Sequence, residues 1–280
     1  MYINPLSLGY ESIAEIGVMT GLADKEKVQE KLRNQPNIAL APSSLGKYTL
    51  YGVLLAHNLS EISETIARID SESEKSLDVL ILTDLWENPW HPENIVIKPF
   101  EQEKLTRKTT DAKTRFEPVT IDETDKCIAK MLMENSRMQF NAISKKLGIS
   151  TKKVYQRYQR LREKNVLNLS SISVDLLKVG YYAIADCYIK IDHKVNIPKV
   201  EAQLLQIPNA SFCAKFVGGA YDLRVAGIVA DLEDVFRFKR QVHSIKNIKT
   251  AEFYLHENPG PWPSDFIGML VIKKKELCSE

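Results

Sequence analysis

The chain contains 280 residues, 44% of them hydrophobic and 26% charged, which is the balance of an ordinary folded protein. Its longest apolar runs have the length of strands, far below the ~20 residues of a membrane-spanning helix, and the N-terminus lacks the pattern of a secretory signal. We therefore expect a cytoplasmic protein without a membrane partner. The cysteines show no metal-ligand spacing, so we expect reduced, inert thiols and neither a metal nor a cofactor. They are Cys127, Cys187, Cys213 and Cys278.

The positive charge of the chain is concentrated in one segment. The net charge is only +2, yet residues 104–165 hold 16 Lys and Arg against 7 Asp and Glu. Such a local surplus is typical of a surface that meets a polyanion. The chain contains no glycine-rich phosphate loop, nucleophile motif or metal spacing, so the sequence predicts no catalytic residue.

Residues 1–100 predict a first module with the order βαββαβ. The predicted strands are 12–19, 38–41, 48–56 and 77–85, and the predicted helices are 24–34 and 59–69. This order is the ferredoxin-like pattern, an antiparallel sheet with two helices on one face. The other face also presents apolar residues, so we expect it to pack against a second sheet.

Residues 101–120 predict a basic linker. The segment is polar, contains Pro118 and lacks the apolar spacing of a helix. A solvated hinge and a segment that follows DNA phosphates are both compatible with this composition.

Residues 121–170 predict a winged helix-turn-helix. Asp122 and Asp125 form a variant capping box at the start of a first helix, and a second short helix ends at Gly148. Ser150 caps a third helix, and Val166 to Leu169 form the expected wing strand. Two short helices joined through a glycine, the second of them basic, are typical of a domain that enters the major groove.

The third helix has a core face and an outer face. Val154, Tyr158 and Leu161 lie at core spacing, which leaves the polar residues opposite them to face DNA. We expect Gln156 and Arg160 to contact base edges, because these side chains suit adenine and guanine, while lysines neutralise phosphates. The predicted DNA-binding residues are Arg137, Ser150, Thr151, Lys152, Lys153, Tyr155, Gln156, Gln159 and Arg160.

Residues 171–280 predict a second module that repeats the first one about 170 residues later. The matches include Val179-Gly180-Tyr181 with Leu8-Gly9-Tyr10, Pro208-Asn209 with Pro36-Asn37, Tyr221 with Tyr48, and Leu255 to Pro259 with Leu85 to Pro89. The fold class is therefore α+β, with two ferredoxin-like βαββαβ modules flanking one winged helix-turn-helix domain.

Residues 121–258 resemble the Lrp/AsnC family of leucine-responsive, or feast-famine, regulators. The resemblance rests on Ile121 to Asp125, Asn135 to Met138, Leu147 to Ser150, Arg157 to Leu161, Val179 to Tyr181 and Val217 to Leu223. It implies a transcription regulator that binds double-stranded DNA and dimerises through its sheet modules. Residues 2–100 resemble a second copy of the family's effector-binding and oligomerisation module, so the chain carries two sensor modules and one DNA-reading domain.

The resemblance also implies a small effector, commonly an amino acid, near a Gly-x-x-Asp turn. Carried over, the effector-binding residues are Gly218, Gly219 and Asp222, although a purely structural hairpin role for this turn is equally compatible with the sequence. In the first module Thr49 stands where the acid would be, which argues against a second site there. Gln139 replaces the usual Ser or Thr cap of the second helix.

Two other functional classes remain open from the sequence. The sheet module with an attached helix-turn-helix also resembles siroheme decarboxylases, enzymes that need His and Arg around a tetrapyrrole, and none of the five histidines lies in an assignable motif. A sensor or scaffold that does not bind DNA is the third possibility. Because one chain carries a single DNA-reading domain, we expect at least a homodimer with both modules buried in sheet-to-sheet contacts.

Overall fold

The computed structural model describes residues 3–70, 76–82, 119–167, 174–192, 196–217, 219–257 and 261–262. Their mixed helix and strand content confirms the α+β part of the predicted fold class. Most of the predicted linker 101–120, the predicted effector residue Gly218 and the end of the predicted wing lie outside these residues. Within the described ranges no helix is long and apolar enough to cross a membrane, and no group of acids, histidines and cysteines could hold a metal ion.

The first module closely follows the order predicted from its sequence. Its elements are β1 (Ser12–Met19), α1 (Lys25–Arg33), β2 (Ile38–Leu40), β3 (Ser44–Leu45), β4 (Leu50–Ala56), α2 (Leu59–Asp70) and β5 (Ser76–Leu82). The two-residue strand β3 was not predicted, because its hydrogen-bonding partner is a strand of the second module. Val28 and Leu32 of α1 are both buried, as their spacing predicts.

The central helices are tied to the start of the chain. They are α3 (Glu123–Glu134), α4 (Phe140–Leu147) and α5 (Thr151–Glu163). Ile3 joins their hydrophobic core and forms an antiparallel bridge with Leu167, in the segment where the wing was predicted. The Asn4 amide donates to the Val166 carbonyl at 2.9 Å, so these helices are fixed against the chain that leads into the first sheet.

The second module repeats the order βαββαβ, with one additional short strand at each end. Its elements are β6 (Val174–Asp175), β7 (Ala183–Ile191), α6 (Ile197–Leu204), β8 (Ala210–Val217), β9 (Leu223–Val229), α7 (Leu232–Ser244), β10 (Ile248–Glu257) and β11 (Pro261–Trp262). Asp231 caps α7 by accepting a hydrogen bond from the Asp234 amide. The short strands β6 and β11 pair with each other, apart from the main sheet.

The strands of the two modules join at two equivalent junctions. Within the described residues, nine strands follow the order β2-β4-β1-β5-β8-β9-β7-β10-β3. At one junction Ile81 of β5 pairs with Val217 of β8, and at the other the matching residues Leu255 and Leu45 pair in the same way. The two modules are therefore related by an approximate two-fold axis, as in a symmetric dimer contained in one chain.

The pairing of the strands corrects one part of the sequence alignment between the two modules. Ile13 pairs with Leu82, and its counterpart Ile184 pairs with His256. Leu82 is therefore the structural counterpart of His256, so Leu255 does not match Leu85. The two similar Leu-to-Pro runs had suggested an alignment that the hydrogen bonding does not follow.

The sheets pack face to face inside the chain. One hydrophobic cluster combines residues of both modules, including Tyr51, Leu55, Tyr188, Phe216 and Tyr254. Separate cores lie between each sheet and its own helices. The predicted sheet-to-sheet contact is thus present within one chain.

Two of the described cysteines are reduced thiols as expected, and a third is not. Cys187 and Cys213 are free and buried, and burial raises the pKa of both thiols. Cys127 is disulfide-bonded, which corrects the expectation that all four cysteines are reduced thiols.

Candidate nucleic-acid interface

Reciprocal hydrogen bonds fix the beginning of α3. The Asp125 amide donates to the Asp122 carboxylate at 2.8 Å, and the Asp122 amide donates to Asp125 at 3.3 Å. This is the predicted capping box, and it satisfies amides that the first turn of a helix leaves without partners.

The turn between α4 and α5 also forms as predicted. Gly148 has φ +64°, a left-handed conformation that glycine adopts without steric cost. The Ser150 side chain accepts a hydrogen bond from the Lys153 amide, and the hydroxyls of Ser144 and Thr151 lie 3.1 Å apart across the turn. No side-chain cap is found at Gln139 among the described residues, in agreement with the weak start expected for α4.

Two arginines of α5 hold it against the start of α3. Arg157 Nη1 donates to both oxygens of Asp122, at 2.8 and 2.7 Å, and to Asp125 at 2.8 Å. Arg160 donates to Asp125 at 3.1 Å and to the Thr120 carbonyl at 3.0 Å. The Asp125 amide and the Arg157 guanidinium hold the pKa of Asp122 below its usual range.

These contacts bear on one predicted residue and add another. Arg160 is predicted to contact a base; its side chain is 48% exposed, and its guanidinium contacts Asp125 and a backbone carbonyl, which it would have to leave at least in part to reach DNA. Arg157 was not among the predicted site residues, although it positions the helix. A capping box with two acids was the signal that a cation would be needed nearby.

The outer face of α5 is exposed and polar. Lys152, Lys153, Tyr155 and Gln156 are exposed, and Gln159 is half-buried. No ion pair involves either lysine in the part of the chain that the structure describes. This face therefore offers two cations and two amides to a partner without first breaking an internal contact.

The remaining predicted residues lie at the two ends of this face. Ser150 and Thr151 begin α5, and Arg137 is exposed in the turn between α3 and α4. Helix α4 adds Lys145 and Lys146, both exposed, which the sequence analysis did not assign to the site. The cationic surface thus extends over two helices.

The Gly-x-x-Asp turn of the second module is already internally bonded. Asp222 accepts from Lys190 Nζ and from the Ile191 amide, both at 2.8 Å. Gly219 has φ +77° and lies against Leu80 of the first module. An effector amine would therefore have to compete with Lys190 for the carboxylate.

The first module makes the same turn with a neutral side chain. The Thr49 hydroxyl accepts from the Thr20 amide at 3.1 Å, as Asp222 accepts from the Ile191 amide. The turn itself therefore does not require a carboxylate. The charge of Asp222 is matched in this structure by Lys190.

The described histidines lie apart from one another. His57 contacts Glu61, His256 contacts Asp186 in the interior, and His243 is exposed on α7. A shallow, open groove on the outside of α7 is lined by Phe236, Lys239, Arg240, His243 and Ser244, all of them residues of this helix. Arginine and histidine thus share one aromatic, cationic groove.

Comparison with known proteins places the helices in a known class. Residues 121–162 match the family model of the AsnC-type helix-turn-helix domain. A protein of Pyrococcus abyssi named as an uncharacterized HTH-type transcriptional regulator is 30% identical over 135 residues, which span 48% of this chain and 90% of that protein. The HTH-type transcriptional regulator LrpA of Pyrococcus horikoshii is 41% identical over 61 residues, 22% of this chain and 43% of LrpA.

Among solved structures, a likeness of fold extends over nearly the whole chain. The siroheme decarboxylase NirDL is 14% identical, with a TM-score of 0.59 that covers 97% of this chain and 80% of that one. Escherichia coli AsnC is 19% identical, with a TM-score of 0.46 over 50% of this chain and 95% of AsnC.

Proposed function

Because the chain belongs to the Lrp/AsnC family of DNA-binding transcription regulators, we propose that it recognises a specific DNA sequence with the outer face of α5. The exposed, unpaired face formed by Lys152, Lys153 and Gln156 carries this proposal. Gln156 suits adenine, and the two lysines neutralise phosphates. Ser150 and Thr151 present hydroxyls and helix amides to a phosphate at the start of α5.

The proposal divides the chain into four parts. Residues 1–100 and 171–280 form the two ferredoxin-like modules, residues 101–120 link them to the DNA-reading domain, and residues 121–170 are that domain. Arg157 positions α5 against α3, and the half-exposed Arg160 is the candidate for a base contact beside Gln156. Arg137 lies at the edge of the proposed interface and would contact a phosphate.

A binding titration tests the DNA interface. Lys152→Ala with Lys153→Ala should weaken binding to all DNA duplexes and flatten the dependence of the binding constant on salt, because fewer counterions are released. Lys27→Ala, an exposed lysine of α1, is the control for general loss of positive charge. Equal binding by parent and double variant would remove α5 from the interface.

We also propose that two chains act together and that a small metabolite, such as an amino acid, modulates them. One chain has one DNA-reading domain, whereas helix-turn-helix proteins usually contact two half-sites one helical turn apart. Asp222 is the candidate for binding the amine of an effector, which would displace Lys190 from the carboxylate.

A tetrapyrrole-binding enzyme is the second candidate function. The observation that favours it is the α7 groove, where His243 and Arg240 lie beside Phe236, a lining suited to an anionic aromatic ligand. Titration of the purified protein with siroheme tests it. A shifted absorbance band that disappears in the His243→Ala and Arg240→Ala variants would support this candidate, and an unchanged spectrum would reject it.

A further inference from the structure

The two modules contact each other through equivalent faces. One charged residue at the centre of these faces has no charged equivalent in the other module. Glu15 of β1 and Asp186 of β7 occupy equivalent positions, so each module contributes one carboxylate. Tyr51 of β4 and Arg224 of β9 are also equivalent by strand register. The acid is therefore duplicated, whereas the cation belongs to the second module alone.

Arg224 bonds to the carboxylates of both modules. Its Nε and Nη2 donate to the two oxygens of Asp186 at 2.8 and 2.7 Å, and its Nη1 donates to Glu15 and, at 2.6 Å, to the Tyr51 hydroxyl. The Tyr188 hydroxyl donates to the second oxygen of Glu15 at 3.0 Å. Two donors to Glu15 thus come from the second module, and the Tyr51 hydroxyl of the first module also hydrogen-bonds to Glu15.

These charged groups are removed from water. Glu15, Asp186 and Arg224 are 2%, 0% and 9% exposed. Burial alone raises the pKa of Asp186, but Arg224 and His256 outweigh it and hold that pKa below its usual range. Since a buried charge without a partner is strongly unfavourable, Glu15 depends on Arg224 as its cation, and Asp186 depends on Arg224 together with His256.

Pairing of two first modules would lack this cation. The approximate two-fold axis would bring two Glu15 carboxylates together with two Tyr51 side chains and no guanidinium. Gly17 stands at the position of Tyr188, so the hydrogen bond that Tyr188 donates to Glu15 would also be absent. The face of the first module therefore fits the second module and not its own copy.

We propose that Arg224 prevents first modules from pairing with one another, because only the second module supplies the guanidinium that pairs with Glu15. Each chain closes its own two sheets, because tethering in one chain gives the second module a high effective concentration. Chains that assemble on DNA must then meet through surfaces other than the sheet faces. This inference concerns the fold and does not depend on DNA binding.

Cysteine pairs in the full-length chain test which modules meet. Leu45→Cys with Leu255→Cys places thiols on directly opposite residues of β3 and β10, within reach of a disulfide. We expect a disulfide within one chain, seen as chain-sized protein on a non-reducing denaturing gel. A dimer band from this pair, or no disulfide at all, would overturn closure within the chain.

A second pair detects the alternative assembly. Leu45→Cys with Ile81→Cys lies wholly in the first module, and these residues would face each other only if first modules of two chains paired. We expect no disulfide-linked dimer from this variant. If this dimer formed in a yield comparable to that of the intrachain disulfide of the first pair, first modules would pair with one another and the proposal would be overturned.

The role of Arg224 is tested in the background of the first cysteine pair. Arg224→Met should lower the effective concentration of the two thiols, measured against glutathione, on the order of tenfold, because two buried carboxylates lose the guanidinium that they share. Adding Glu15→Gln and Asp186→Asn should restore it by removing the charges. An unchanged value for Arg224→Met, or a failure of the neutral variant to restore it, would show that charge at this position does not select the pairing.

Discussion

Arg157 reaches across from α5 to two aspartates at the start of α3, one of which is fully buried. The predicted effect of Arg157→Ala is a loss of about 2 kcal/mol from the free energy of unfolding, since hydrogen bonds to buried charged groups are lost. Chemical denaturation followed by helical circular dichroism measures it. Lys130→Ala, an exposed change on α3, is the control, and equal midpoints for the two variants would contradict the positioning role.

The same carboxylates predict a dependence on pH. The folded protein holds the pKa of Asp122 below its usual range, so Asp122 contributes stability above the pKa of the unfolded chain and loses it as the pH falls through the folded pKa. Asp122→Asn should therefore be less stable than the parent at pH 6, and the difference should shrink towards pH 3. A constant difference over this range would show that ionisation of Asp122 is not involved.

Asp222 has a turn role and a charge role that one substitution separates. Asp222→Asn retains an oxygen for the Ile191 amide but removes the charge that Lys190 and an effector amine would share. We expect the variant to fold like the parent and to bind none of the twenty amino acids in calorimetric titrations. Amino-acid binding of parental strength in the variant would exclude Asp222 from the effector site.

At the scale of elements, Gly148 sets the angle between α4 and α5. Its φ is +64° and nothing lies within 4 Å of an added Cβ, so Gly148→Ala has only the backbone cost of about 1 kcal/mol. Gly21→Ala is the matched control, because Gly21 has equally open surroundings and no positive φ. Thermal unfolding should separate the two variants, and equal melting temperatures would contradict the assigned turn.

Sequence patterns predicted those elements whose signals are local. β1 has its predicted bounds, and Asp122, Ser150 and Gly148 mark the helix ends because caps and left-handed turns depend on nearby residues. Strand β3 and the register of β10 were not predictable, because their hydrogen-bonding partners lie in the other module or on another strand. The same reason explains the missed Arg157 and Arg224, whose partners are distant in sequence.

At the scale of the molecule, the residues that the structure describes contain a pseudo-symmetric pair of sheets but one helix-turn-helix domain. Light scattering of the complex with a palindromic site, at micromolar concentration, should therefore give the mass of the DNA plus about twice the 31.9 kDa chain mass. A particle of one chain mass that binds such a site tightly would show that a second DNA-reading domain is not needed.

The most direct test of the central claim is selection of bound fragments from genomic DNA by the parent and by Gln156→Ala. We expect the parent to enrich a common sequence motif, and the variant to discriminate less at one or two positions of it, by about 1–3 kcal/mol. Lys27→Ala should select the same motif as the parent. Fragments without a shared motif, or an identical motif from parent and Gln156→Ala, would contradict sequence recognition by α5.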